Sequence, residues 1–71
     1  DPEGAFALFQ KAASQDHTGG LYMAADCLAE GEGTEQNVAN AVPLFYRAAD
    51  QGHRHSRQRI RELLANKTYQ S

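Results

Sequence analysis

The chain has 71 residues and a formal net charge of -2, so it forms at most one small domain, whose core rarely supplies more than about 3–5 kcal/mol without further support. Its single cysteine, Cys27, excludes an intrachain disulfide framework and suits a reducing compartment such as the cytoplasm. No apolar run approaches the roughly 18 residues of a membrane span, and the first residues do not form a signal peptide, so we expect no membrane or export segment.

Charge is divided unevenly along the chain. Residues 1–50 carry eight acidic side chains against Lys11 and Arg47, a net charge of -6, whereas residues 51–71 carry five basic side chains against Glu62, a net charge of +4. The basic end therefore needs its own explanation.

The first predicted helix covers residues 2–14. Its apolar residues recur at the i, i+3, i+4, i+7 spacing of a helix with one buried face: Ala5, Leu8, Phe9 and Ala12. Asp1 and Pro2 suit the N-cap and the first helical position.

The second predicted helix covers residues 19–30 and has small side chains on one face, which let a neighbouring helix approach closely: Gly20, Ala24, Cys27 and Leu28. The stretch "GEGTEQN" from Gly31 then predicts a tight reversal. It is not a phosphate loop, because it lacks the Gly-Lys-Ser/Thr ending and brings acids where phosphate needs donors.

The third predicted helix, residues 38–50, repeats the apolar stripe of the first: Ala41, Leu44, Phe45 and Ala48. Asn37 is the expected N-cap, and Gly52 ends the helix. Pro43 lies six residues beyond Asn37, which predicts a slight bend or a later helix start. A fourth helix is predicted over residues 54–66.

The chain is an internal repeat with a period of 36 residues. Between residues 2–17 and 38–53, a shift by this period produces seven identities in sixteen positions, at Ala5/Ala41, Leu8/Leu44, Phe9/Phe45, Ala12/Ala48, Ala13/Ala49, Gln15/Gln51 and His17/His53. The same shift places the second helix on the fourth. Such a period predicts a solenoid of antiparallel helix pairs, and therefore an all-α fold with about four helices.

These residues resemble the Sel-like repeat family, the α/α relatives of tetratricopeptide repeats. The matching positions are Gly31, Gly33, Ala41, Leu44, Phe45, Ala48, Ala49 and Gly52. The departures are Leu28 for a tyrosine, Thr34 for a valine, Asn37 for an aspartate and Asp16 for a glycine. The resemblance implies a right-handed α/α superhelix and a protein-interaction scaffold without catalytic residues or a cofactor.

The two ends of the array differ. Leu21, Met23 and Ala25 flank the buried face of the second helix, and the equivalent positions of the fourth are Arg57, Arg59 and Arg61. These arginines predict a terminal cap with one side in water. Lys67 and Tyr69 replace the loop glycines Gly31 and Gly33, so no further repeat is expected.

The first helix lacks the hairpin partner that should precede it. We therefore expect residues 1–71 to be the C-terminal end of a longer repeat array, with a complete miniature as the alternative.

Histidine and cysteine suggest chemistry only weakly. His17, His53 and His55 could form a metal site, but the first two are one repeat position and are expected to serve the turn by donating to the last helix carbonyls. Cys27 occupies the place of Leu63 and is expected to be a core residue rather than a nucleophile.

The candidate partner-binding residues are Tyr22, Asp26, Arg54, Arg57 and Arg61. The three arginines are spaced i, i+3 and i+7, so they share one helix face. That face is interpreted first as a solvated cap, second as a surface for an acidic protein partner or for the rest of the chain itself, and last as a nucleic-acid site. Tyr22 could anchor a partner, or be a partly packed residue.

Two functional hypotheses remain besides a scaffold for protein partners. The segment could be an accessory or regulatory domain of a larger enzyme, such as a protein kinase, that recruits substrate or a partner. It could also be an RNA-binding helical repeat, whose affinity would fall steeply with salt. No aromatic residues interleave with the arginines, and the acidic first fifty residues would repel nucleic acid.

Overall fold

The computed structural model describes residues 1–65, which form four helices: α1 (Pro2–Ser14), α2 (Thr18–Glu30), α3 (Val38–Asp50) and α4 (Arg54–Ala65). This described part contains no strand. The prediction of an all-α helical repeat is therefore confirmed. The observed bounds lie within one residue of the predicted ones, while the predicted end of α4 at residue 66, and Lys67 and Tyr69, lie outside the described residues.

Each helix packs against its neighbours in the chain, α1 on α2, α2 on α3 and α3 on α4. The principal extents are 29 × 27 × 14 Å, so the short dimension is little more than one helix diameter of about 10–12 Å. The helices thus form a row in which each unit buries its apolar face on the next, as in a solenoid.

The turns after α1 and α3 are built in the same way. The backbone N–H of His17 donates to the Ala12 carbonyl at 3.1 Å, and that of His53 donates to the Ala48 carbonyl at 3.1 Å. Between them and the helix end, Asp16 and Gly52 take the left-handed conformation, with φ of 62° and 94°. The repeated turn is a helix C-terminus closed by backbone hydrogen bonds across one left-handed residue.

The predicted role of the histidine side chains is wrong for His53. Its Nδ1 accepts a hydrogen bond from the Ser56 backbone N–H at 3.2 Å and lies 2.9 Å from the Ser56 hydroxyl. The imidazole therefore caps the start of α4 rather than the end of α3. The reason is that the carbonyls at the end of α3 are already met by backbone donors, whereas the first N–H groups of α4 have no partner within the helix.

The longer connection, residues 31–37, lies against the start of α1 at Gly33. Gly31 and Gly33 have positive φ, 74° and 72°, and a Cβ at Gly33 would collide with the Pro2 carbonyl. The Asn37 side chain accepts from the Asn40 backbone N–H at 3.1 Å, which confirms the predicted N-cap.

Pro43 lies inside α3, which begins directly after Asn37. The later start that was one of its two predicted effects is therefore not observed. Proline has a helical φ and removes one N–H, which would have bonded the carbonyl of Ala39. Ala39 is exposed, so water can meet that carbonyl and the helix continues.

The core consists of two adjoining clusters. One joins α1 to α2 and α3 through Phe6, Leu21 and Ala48, and the other joins α2 to α3 and α4 around Phe45, which is 0% exposed. At Gly20 a Cβ would collide with Ala12, so glycine sets how closely α1 and α2 approach. Buried Ser56 occupies the equivalent place between α3 and α4.

Candidate protein-interaction surfaces

The three predicted arginines, Arg54, Arg57 and Arg61, are exposed on α4. Within residues 1–65 none of them takes part in an ion pair. Arg57 and Arg61 lie together along a groove of about 320 Å³ between α3 and α4, lined by Tyr46, Ala49, Asp50, Arg57, Ile60 and Arg61. Arg54, in the first turn of α4, is not part of the lining.

Arg59 was predicted to face water with Arg57 and Arg61, and this is wrong. Its side chain is only 16% exposed. It lies two residues from each of the others, which in a helix means about 200° around the axis. Arg57 and Arg61 therefore face away from the array, while Arg59 faces α2.

Arg59 connects α4 to α2 through acidic side chains. It donates to Asp26 at 3.2 Å and to Glu62 at 3.0 Å, and its ion pair with Glu30 spans 3.6 Å. The guanidinium also lies 5.8 Å from the centre of the Phe45 ring, a cation–π geometry. This arginine is a structural contact between α2 and α4, on either side of α3.

The electrostatic environment of Arg59 favours its charged form. Burial alone lowers its pKa, but the hydrogen bond that Arg59 donates to Glu62 and the charges of Asp26, Glu30 and Glu62 together raise the pKa above its ordinary value. Its Nε is buried and lacks a hydrogen-bond partner within the described chain.

Tyr22 is half-buried in an aromatic cluster that joins α2 to the turn before α4 and to α3. Its ring stacks on His53 at 4.5 Å between centroids and meets Phe45 and His55 edge-on at 5.6 and 5.5 Å. Burial, followed by the charge of Asp26, raises the pKa of its phenol. Most of the ring is therefore used for packing.

Asp26 is half-buried and engaged by Arg59. Tyr22 and Asp26, four residues apart on α2, thus both contact the α4 end of the molecule. The structure brings these two predicted residues together, but both make their contacts within the chain.

The described residues do not favour nucleophilic catalysis or metal binding. Cys27 is 6% exposed, and burial, then the charges of Glu32 and Asp26, raises the pKa of its thiol, which makes it a weak nucleophile at neutral pH. Among the described residues there is no cluster of three or more His, Cys, Asp or Glu side chains that could hold a metal ion. No helix in residues 1–65 has the length and apolar character needed to cross a bilayer.

Tyr46 is the surface residue that the sequence analysis missed. It is 49% exposed and forms one wall of the α3–α4 groove. A signal for it existed, because Tyr46 lies outside the apolar stripe of α3, and a large aromatic residue outside that stripe is expected at the surface. At the other end of the molecule Leu8 is 69% exposed.

Comparison with known families explains this architecture. The family model described as Sel1 repeat matches residues 1–17 and 19–53, which is most of the chain. Neither the curated proteins nor the solved structures provide a match. Repeats of this family are helical modules that generally mediate protein–protein interaction. By its 36-residue period, its repeated helix end and this match, the chain belongs to the Sel1 repeat family.

Proposed function

We propose that this chain is a protein-interaction scaffold that binds an acidic surface of a protein partner through Arg54, Arg57 and Arg61. It performs no chemistry of its own and needs no cofactor. The supporting observation is the contrast within α4: Arg59 is surrounded by three acids, whereas the other three arginines are exposed and, among the described residues, without an ion pair.

The positions of these arginines are electrostatically unfavourable within α4. A helix N-terminus favours negative charge, and basic residues there cost about 0.3–1 kcal/mol, yet the first turn of α4 has no acidic residue and begins with Arg54. Arg57 and Arg61 are four residues apart, a spacing at which like charges repel. A solvated cap would not need this arrangement, and a partner that supplies carboxylates would offset it.

Nucleic acid fits this surface less well than protein. The net charge of -6 on residues 1–50 opposes a polyanion that extends beyond α4. An acidic patch on a folded protein is small enough to contact the arginines without approaching the acidic residues 1–50.

We further propose that the chain is part of a longer array. Leu8 is 69% exposed, whereas its repeat equivalent Leu44 is half-buried against both core clusters. A helix equivalent to α2, packed before α1, would cover Leu8 in the same way. The accessory-domain hypothesis is the case in which such an array is joined to an enzyme, and the arginines would then recruit its substrate or regulator.

The test is affinity capture with quantitative mass spectrometry, comparing the unchanged chain with a triple variant, Arg54→Gln, Arg57→Gln and Arg61→Gln. A control with Ala7→Glu, Gln10→Glu and Ala39→Glu changes three exposed positions on α1 and α3. Each variant lowers the net charge by three, so that both have -5 in place of -2.

We expect partners to be lost with the arginine variant and kept with the control, at equal helicity by circular dichroism. Equal partner sets for all three proteins would show that the arginines are a solvated cap. A captured set dominated by RNA-associated proteins and abolished by ribonuclease would favour the nucleic-acid hypothesis instead.

A further inference from the structure

The groove between α3 and α4 has a counterpart earlier in the chain. Shifting its lining residues back by 36 positions leads to Gln10, Ala13, Ser14, Leu21, Ala24 and Ala25. In that earlier groove, between α1 and α2, the last three residues are completely buried.

A helix fills the earlier groove. Leu21 shares a core cluster with Ala48 of α3, and Ala25 shares one with Ala41 and Phe45 of the same helix. The α1–α2 pair thus presents a surface that accepts a helix, and the α3–α4 pair repeats its backbone arrangement. A helix is therefore the element whose shape matches the α3–α4 groove.

The floor of the α3–α4 groove remains apolar but its wall is basic. Ala49 and Ile60 are 7% and 6% exposed, and Tyr46 is 49% exposed. The positions equivalent to Leu21 and Ala25 are Arg57 and Arg61, both exposed. An incoming helix would therefore meet two guanidinium groups where α3 meets two apolar side chains.

We propose that this groove binds an acidic amphipathic helix of a partner protein. The apolar face of that helix lies on Tyr46, Ala49 and Ile60, and its carboxylates pair with Arg57 and Arg61. This inference rests on the proposed function, because it names the kind of partner that the same arginines bind.

Asp50 determines how the partner helix is placed. It lies on the α3 rim of the groove, so it repels carboxylates there and favours a partner whose acids lie only on the side facing α4. Glu62, the acid within α4, is hydrogen-bonded to Arg59 and does not line the groove. The expected ligand is thus a helix with one apolar stripe and one acidic edge.

The test uses a synthetic helical peptide of about four turns, with alanine and leucine on one stripe and glutamate along one edge. A second peptide carries lysine in place of each glutamate. Binding to the chain is measured by fluorescence anisotropy, and the contact site is mapped by amide chemical shifts. We expect the acidic peptide to bind, with shifts at Tyr46, Ala49 and Ile60.

Two single variants provide a matched comparison, because Arg61→Glu and Lys11→Glu change the net charge equally and both positions are exposed. Arg61→Glu is expected to weaken binding of the acidic peptide by about tenfold or more. Lys11→Glu, on α1, is expected to change it by less than about twofold. The double variant Arg57→Glu, Arg61→Glu should bind the lysine peptide in preference to the glutamate peptide.

Several outcomes would overturn the proposal. Equal weakening by Arg61→Glu and Lys11→Glu would show only a general charge effect, and shifts centred on Leu8 would place the peptide at the other end of the array. Self-association that Arg61→Glu abolishes, with no peptide bound, would make a second copy the occupant. If partner capture depends on the arginines but no acidic helix binds, the proposed function stands and this inference fails.

Discussion

The two ends of the helix row can be compared because each contains residues whose repeat equivalents, 36 positions away, have different surroundings. At the α1 end, Leu8 and Met23 are exposed, at 69% and 36%. Their equivalents inside the row are Leu44, which is half-buried, and Arg59, whose side chain is 16% exposed. At the α4 end the relation is reversed, because buried Leu21 and Ala25 correspond to exposed arginines.

The difference shows that one backbone pattern carries two kinds of end. The α1 end has the apolar residues of an internal repeat without the contacts that cover them. The α4 end replaces such residues by charge, which removes the hydrophobic gain that another repeat would need. Only the α4 end therefore has side chains that differ in kind from those at the same positions inside the row.

The largest expected effect tests the interior position shared by Phe9 and Phe45. Phe45→Ala removes a completely buried ring and should cost about 3–5 kcal/mol, which equals the whole stability of a chain this small. We expect loss of most of the helical circular dichroism signal at room temperature. Phe9→Ala, at a half-buried position, should cost about 1–2 kcal/mol in urea unfolding. Equal losses would contradict the difference between the two copies.

Arg59→Met places at the α4 end the residue that Met23 supplies at the equivalent position of α2. It leaves Asp26, Glu30 and Glu62 without their cation, and we expect a loss of about 1–3 kcal/mol in the free energy of unfolding, intermediate between exposed and buried pairs. The deficit should shrink at high salt. The control Arg57→Met, at an exposed position, should stay within about 0.5 kcal/mol of the unchanged chain. A loss with Arg57→Met as large as with Arg59→Met would refute the structural role of Arg59.

The pH dependence of stability tests the packing of α2, because Cys27 and Tyr22 both have raised pKa values relative to their ordinary 9.0 and 10.0. The folded state thus holds these protons more tightly than the unfolded state. The resulting stability is fully present below the ordinary pKa values and is lost as pH rises through the folded ones. Urea unfolding should therefore become easier above about pH 9.

The control for this profile is Cys27→Ala, which removes the thiol. In this variant only Tyr22 of the two still titrates, so its decline in stability relative to neutral pH should begin at a higher pH than in the unchanged chain. Superimposable profiles of the two proteins would mean that burial of Cys27 does not govern the alkaline loss.

The smallest effect concerns the two left-handed turn positions. Asp16→Gly relieves a left-handed non-glycine residue, worth about 1 kcal/mol, but removes the exposed ion pair with Arg47 at 2.8 Å, worth about 0.2–1 kcal/mol. The free energy of unfolding should therefore rise by only about 0–0.8 kcal/mol. Gly52→Asp, with φ of 94° and no compensating pair, should cost about 1 kcal/mol. A larger loss for Asp16→Gly than for Gly52→Asp would show that the ion pair outweighs backbone strain.

The repeat made the fold predictable. Phe9 and Phe45 are 36 residues apart, as are His17 and His53. The apolar stripe and the end of one helix therefore predicted those of its copy. The Asn37 cap was predicted from a local hydrogen-bonding rule, which needs no tertiary contact.

The surfaces were predicted less well. Tyr22 and Asp26 were identified as candidate binding residues, but the structure uses them against His53 and Arg59. Those contacts join residues about thirty positions apart, and the distance between α2 and α4 depends on how α3 separates them. For Arg59, helical periodicity alone would have separated it from Arg57 and Arg61.

The sequence by itself determined the helices, their apolar faces, the turns between them and the family, because each of these depends on local spacing and on the comparison of one copy with the other. Only the tertiary structure decided which arginine is engaged by acids and which two stand beside an apolar groove. That distinction depends on which neighbouring helix each flank of α4 faces, and a flank has a neighbour only after the helices have packed.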